Sequence, residues 1–203
     1  MTSERFAAAI AAFDSENALD PHRDVIDGIA RPHELVQSER LSGWVAKLEP
    51  EASEALRLAA RCQHIRRWTI PRGNFPEGRV GYLQWRTQLG RMHADVAAGV
   101  LERVGYDAAT IEEVRRIVTK QGLRSNADTQ TIEDALCLAF LEHEAADFAH
   151  KHPPDKVIDI LRKSWKKMSP RGHAAALALA LPDEVRALVE LALAPSESAD
   201  END

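Results

Sequence analysis

Apolar residues recur at three- and four-residue intervals over most of the chain, and nowhere do they alternate with polar residues over a useful length. The spacing predicts an all-α protein with no convincing strand. A first helix is expected over 3–14. The segment ALDPHRDVIDGIARP (18–32), with two prolines and Gly28, reads as a loop. Pro32 opens a helix with Leu35, Leu41, Trp44, Val45 and Leu48 on one face, and Pro50 ends it. Ser53 caps the next helix, over 54–68, with Leu56, Ala59, Ala60 and Ile65 inward. A long helix over 82–104 stops at Gly105. Thr110 with Glu113 forms a capping box for a helix that stops near Gly122.

The most apolar helix is expected over 129–149, central to the core. Three more follow: one opened by Pro153, Pro154 and Asp155, a short one at Ser169-Pro170, and a last from Pro182 to about Ala194. The sum is a single all-α domain of eight or nine helices over 1–194. The acidic, small-residue tail 195–203 is expected to be disordered.

Composition narrows the class without naming a reaction. With 203 residues, 44% hydrophobic and 29% charged, the chain reads as an ordinary globular protein. No apolar run approaches a membrane span, and MTSERFAAAIAAFDSEN is amphipathic without a basic leader, so a cytoplasmic protein with no membrane partner is expected. Cys62 and Cys137 lie in apolar helical contexts and read as reduced, buried thiols.

Charge changes the picture most. The chain carries a formal −6, yet seven arginines fall between Arg61 and Arg91, with Glu77 the one acid among them. That stretch, RCQHIRRWTIPRGNFPEGRVGYLQWRTQLGR, also holds Trp68, Tyr82 and Trp85 around an irregular loop. Guanidinium suits phosphate or carboxylate and an exposed ring suits a flat group, so the segment reads as an anion-binding site. The bland alternative is that its arginines pair with surface carboxylates and its tryptophans anchor the core.

Three polar residues occupy positions where a buried helix is normally apolar: His64, His93 and Asp134, the last beside Glu133. Two imidazoles and a carboxylate from three helices could hold a divalent metal such as Fe, Mn, Zn or Ni. The alternative is a salt bridge from Asp134 to a loop arginine, with the histidines hydrogen-bonded. The basic cluster Arg162, Lys163, Lys166, Lys167 reads as a solvated helix face. The small faces, such as Ala94, Ala97 and Ala98, suit either core packing or a homodimer.

Two resemblances add to this. AARCQHIRRWTIPRGNFPEGRVGYLQWR, TIEDALCLAFLEH and DILRKSWKKMSPRGHAAAL resemble a bacterial family of unknown function, family 4202, over nearly the whole chain. More distantly, LRLAARCQHIRRW and TIEDALCLAFL resemble two helices of the HD superfamily of all-helical metal-dependent phosphohydrolases. There Gln63-His64 stands where that superfamily has its His-Asp pair, Gln37 or His33 stands for its first histidine, and Asp134 for its last aspartate.

The HD likeness implies an HD-like fold and hydrolysis of a phosphate-containing small molecule or nucleotide. His64, His93 and Asp134 would hold the metal. Arg66, Arg67 and Arg72 would clamp the phosphate, with Arg86 beside them on the substrate. Trp68, Tyr82 or Trp85 would stack on a base, and Glu133 would serve as general base or fix a histidine tautomer. The alternative is a non-catalytic module on the same scaffold that binds a nucleotide or an RNA end.

Overall fold

The computed structural model describes residues 4–194. The expected tail 195–203, and the first residue of the expected helix 3–14, lie outside the described residues. The protein is all-α, with ten α-helices and one small sheet among the described residues. Its chain divides into two compact units, 1–133 and 134–203, the boundary falling within one helix.

The first unit opens with α1 (Glu4–Asn17), then a two-stranded antiparallel ribbon of β1 (Arg23–Ile26) and β2 (Ile29–Pro32). That ribbon corrects the loop expected over 18–32. Strands of four residues are too short to show alternation, but Asp27-Gly28 between them was the signal. Both residues take positive φ (51° and 78°), the type I′ geometry that matches strand twist.

Next come α2 (His33–Leu48), α3 (Glu54–Cys62), two 3-10 turns (Arg67–Thr69 and Arg72–Asn74), α4 (Gly78–Arg103) and α5 (Ala108–Val118). Helix α3 is the axis of this unit: Leu56, Leu58, Ala59 and Cys62 are fully buried, and α1, α2 and α5 pack on it. Burial pushes the Cys62 thiol well up from its ordinary pKa, as an inert core thiol requires. Ala94, Ala97 and Ala98 are core residues of α4, so that small-residue face is spent inside the protein.

Several boundaries shift for identifiable reasons. Ser53 caps α3 as expected, its Oγ accepting from Leu56 N–H at 3.0 Å. The helix then stops at Cys62, well short of Trp68, because Arg66 turns left-handed (φ 55°). Helix α5 is capped by Asp107, which accepts from Thr110 N–H at 2.8 Å, so Thr110 lies inside the first turn and is not the cap. Gly105 ends α4 as predicted, in a Schellman motif with Tyr106 N–H on Leu101 O (3.0 Å).

Helix α6 (Ala127–His143) carries the boundary between units. It ends sooner than the expected Ala149, because the chain leaves helical geometry at Glu144 (φ −127°) before α7 (Ala145–Lys151) begins. The second unit continues with α8 (Pro154–Trp165), α9 (Pro170–Leu177) and α10 (Asp183–Leu193). Here α7, α8 and α10 pack on one another around Val157, Leu161, Val185 and Ala192. No helix among the described residues is long and apolar enough to cross a membrane.

Candidate anion-binding site

Two left-handed residues shape one cavity in the first unit. At the end of α3, Arg66 reverses the chain and sends adjacent arginines to different places. Arg66 Nε donates to Glu16 Oε2 at 2.6 Å. Arg67 lies over the Trp85 ring, 5.0 Å from its centroid, with Nε 3.9 Å from Glu34 Oε1. At the end of α5, Lys120 is left-handed (φ 57°). The turn closes with Lys120 N–H on Ile117 O and Gln121 N–H on Arg116 O, both 2.9 Å. This Schellman closure comes two residues before the Gly122 expected to end the helix.

Between these two turns and α4 lies a cavity of about 490 Å3, within the usual range for small-molecule sites. Arg67, Arg86, Arg91 and Lys120 line it, and none of its lining residues is acidic. Lys120 Nζ donates to Glu133, a carboxylate only 4% exposed. No carboxylate pairs with Arg86 or Arg91 among the described residues; Arg86 donates to the Tyr82 hydroxyl at 3.3 Å. The cavity is therefore electropositive, with two of its cations partly balanced from behind.

His64 and His93 sit at its base, ring centroids 5.9 Å apart. His93 is buried, and its Nδ1 lies 2.7 Å from Ile65 O. A carbonyl only accepts, so Nδ1 carries the proton and Nε2 is an acceptor, without a partner among the described residues. Desolvation, ahead of the Arg67 and Arg86 charges, lowers the His93 pKa to about 4, although the bond to Ile65 O opposes it. His64 is lowered well below its ordinary value by desolvation first, then by Arg67, His93, Lys120 and Arg86. Both rings are neutral at pH 7.

This has a consequence for stability. The folded pKa of His93 lies below its unfolded value of 6.5, so the unfolded chain takes up the proton first. Its contribution is intact above about pH 6.5 and is lost as pH falls toward 4, to about 3 kcal/mol. Urea midpoints measured from pH 7.5 to 4.5 should fall steeply below 6.5, and His93→Gln should flatten that slope. An unchanged slope would place His93 in a solvated setting.

The other predicted residues scatter. Arg72 lies outside the cavity wall and knits the loop, donating to Phe75 O and Pro76 O, each at 2.9 Å. Trp85 gives its indole N–H to Ile70 O (2.8 Å) and its face to Arg67. Tyr82 is exposed, 5.8 Å from Trp85 and beside Arg86. Trp68 is half-buried, and none of these three rings lines the cavity. Part of the bland alternative therefore holds: Arg61 forks onto Asp14 (2.5 and 2.8 Å) as Arg66 pairs with Glu16. The structure brings together Arg67, Arg86, His64 and His93, and sets Arg66, Arg72 and the aromatic rings apart from them.

Asp134 belongs to the second unit and is fully buried. Its Oδ1 accepts from Ser169 N–H at 2.8 Å and its Oδ2 from Ser169 Oγ–H. Ser169 in turn caps α9, accepting from Gly172 N–H at 3.1 Å. A Cβ on Gly172 would stand 2.7 Å from Asp134 Cγ, so glycine is what lets the carboxylate lie against that helix start. Among the described residues no three His, Cys, Asp or Glu side chains are grouped to hold a metal ion. Two imidazoles alone do not make the three- or four-ligand set a divalent metal takes.

Sequence reasoning missed Lys120, Thr87, Thr119 and Gln121 as lining residues, and it named Arg91 only as the end of the arginine segment and Gln63 only through the HD likeness. Lys120 and Gln121 are about 55 positions from Arg67 and carry no motif; only the fold brings them together. No curated protein and no solved structure matches the chain. A family model described as a domain of unknown function, DUF4202, matches residues 7–189, and the chain belongs to that family.

Proposed function

We propose that the first unit binds a phosphate-containing small molecule or nucleotide in the cavity between α3, α4 and α5. The observation that carries this reading is the wall itself: four cations and no acid, with Arg86 and Arg91 free of carboxylate partners among the described residues. Guanidinium binds phosphate bidentately, and charged hydrogen bonds to such an anion contribute about 1.5–3 kcal/mol each. Both arginines are exposed, so replacing them leaves the core intact. In the double variant Arg86→Gln, Arg91→Gln, calorimetric affinity for inorganic phosphate should fall by about a hundredfold. Equal affinity in the parent and this variant would sink the assignment.

A second reading, phosphoester hydrolysis, draws support from the pair of neutral imidazoles beside the cations and from the likeness of LRLAARCQHIRRW and TIEDALCLAFL to HD phosphohydrolase helices. A neutral imidazole with an unpaired nitrogen can take a proton from a nucleophile, although a pKa near 4 makes His93 a weak base. Metal content by mass spectrometry, on untagged protein and on His64→Ala, separates the readings. Stoichiometric metal lost in the variant would favour a metalloenzyme; a metal-free, folded parent that binds phosphate favours a binding module.

A further inference from the structure

The uncharged part of the cavity wall has a chemistry of its own. Thr87 comes from α4, and Thr119 and Gln121 from the end of α5, with Gln63 from the end of α3. Gln63 donates from Nε2 to Val118 O at 3.0 Å, and its Oε1 has no partner among the described residues. Gln121 donates from Nε2 to Thr119 Oγ1 at 3.1 Å. These are hydroxyl and amide groups, matched to ligand hydroxyls.

Aromatic recognition is spoken for elsewhere. The Trp85 face lies against Arg67 and its N–H against Ile70 O, while Tyr82 sits beside Arg86; neither ring lines the cavity. A nucleobase would find no tryptophan or tyrosine face within it. Charge narrows the ligand further. Glu34 stands near Arg67 and Glu133 against Lys120, which leaves Arg86 and Arg91 as surplus cations. Two surplus charges match one phosphomonoester dianion, with no need for a di- or triphosphate.

We propose that the ligand is the phosphate monoester of a small polyhydroxylated carbon skeleton, a sugar phosphate, held by Arg86 and Arg91 at its phosphate and by Thr87 and Gln121 at its hydroxyls. This rests on the phosphate reading above and names its ligand class.

The test is a calorimetric series on the full chain at pH 7.5 with inorganic phosphate, ribose 5-phosphate and AMP, in which a sugar and then a base are added to one phosphate. Ribose 5-phosphate should bind at least about tenfold more tightly than inorganic phosphate, the gain expected of one or two added hydrogen bonds. It should also bind more tightly than AMP, whose base meets no tryptophan or tyrosine face in the cavity. In the variant Thr87→Val, Gln121→Leu that advantage over inorganic phosphate should largely vanish, while inorganic phosphate binds as in the parent. Both positions are exposed, so the fold is spared. AMP binding more tightly than ribose 5-phosphate, or equal affinity for ribose 5-phosphate and inorganic phosphate, would overturn the sugar-phosphate assignment and leave the phosphate site standing. Binding of none of the three would overturn the phosphate site itself, and this inference with it.

Discussion

Gly81→Ala should lower the melting temperature by about 10 °C, the shift expected for about 4 kcal/mol in a chain of this size. Gly81 lies in the first turn of α4, where a Cβ would stand 1.9 Å from Pro76 O and 2.7 Å from its carbonyl carbon. Both are backbone atoms, so no rotamer change relieves the overlap, and the loop that Arg72 ties down must shift. A control lies in the same helix. At Gly99 the nearest atom to a Cβ is the end of the Arg103 side chain, at 3.7 Å, and alanine there should stabilise by about 0.5–1 kcal/mol. Calorimetric scans of the two variants should therefore move in opposite directions. If Gly81→Ala melts with the parent, the loop does not press on α4 in solution.

Asp134→Ala should destabilise the second unit by about 3 kcal/mol, because Ser169 N–H and Oγ–H lose a buried, charged acceptor. Gly172→Ala should do comparable harm by the opposite route, adding a methyl where the Asp134 carboxylate already lies. The informative result is the double variant. Removing the carboxylate makes room for the methyl, so the two losses should be sub-additive, with a coupling of about 1–2 kcal/mol. Near-ultraviolet circular dichroism reports on this unit through Trp165, whose ring stacks on His173 with centroids 4.0 Å apart. Strictly additive losses would mean that Asp134 and Gly172 act independently. An Asp134→Ala protein of parental stability would mean that the carboxylate's main role is not to seat α9.

The all-helical class was legible because long apolar periodicity survives any tertiary arrangement: Leu56, Ala59 and Ala60, predicted inward on α3, are all buried. Caps with a short polar side chain, such as Ser53 and Ser169, were legible for the same local reason. The ribbon escaped notice because its strands are four residues long and only Asp27-Gly28 marked it. The end of α3 escaped notice because Arg66 adopts a conformation that sequence usually signals with glycine.

Local composition pointed to one segment, and the fold divides the residues of that segment among different tasks. Seven arginines in one segment raised the expectation of an anion site, but which of them face a cavity depends on a left-handed residue at 66 and on carboxylates of α1 about 50 positions away. Likewise the polarity of Asp134 in an apolar helix was plain, while its partner Ser169, 35 residues on, was not.

The turn at Lys120 sets durability against charge. A lysine in the left-handed region carries a strain of about 1 kcal/mol that glycine would not, in a turn whose closing hydrogen bonds involve main chain alone. Substitutions that relax this turn would also remove a cation from the cavity wall and leave Glu133 without that partner. A tighter turn at position 120 would thus come at the cost of a less positive cavity wall and of a buried carboxylate deprived of its cation.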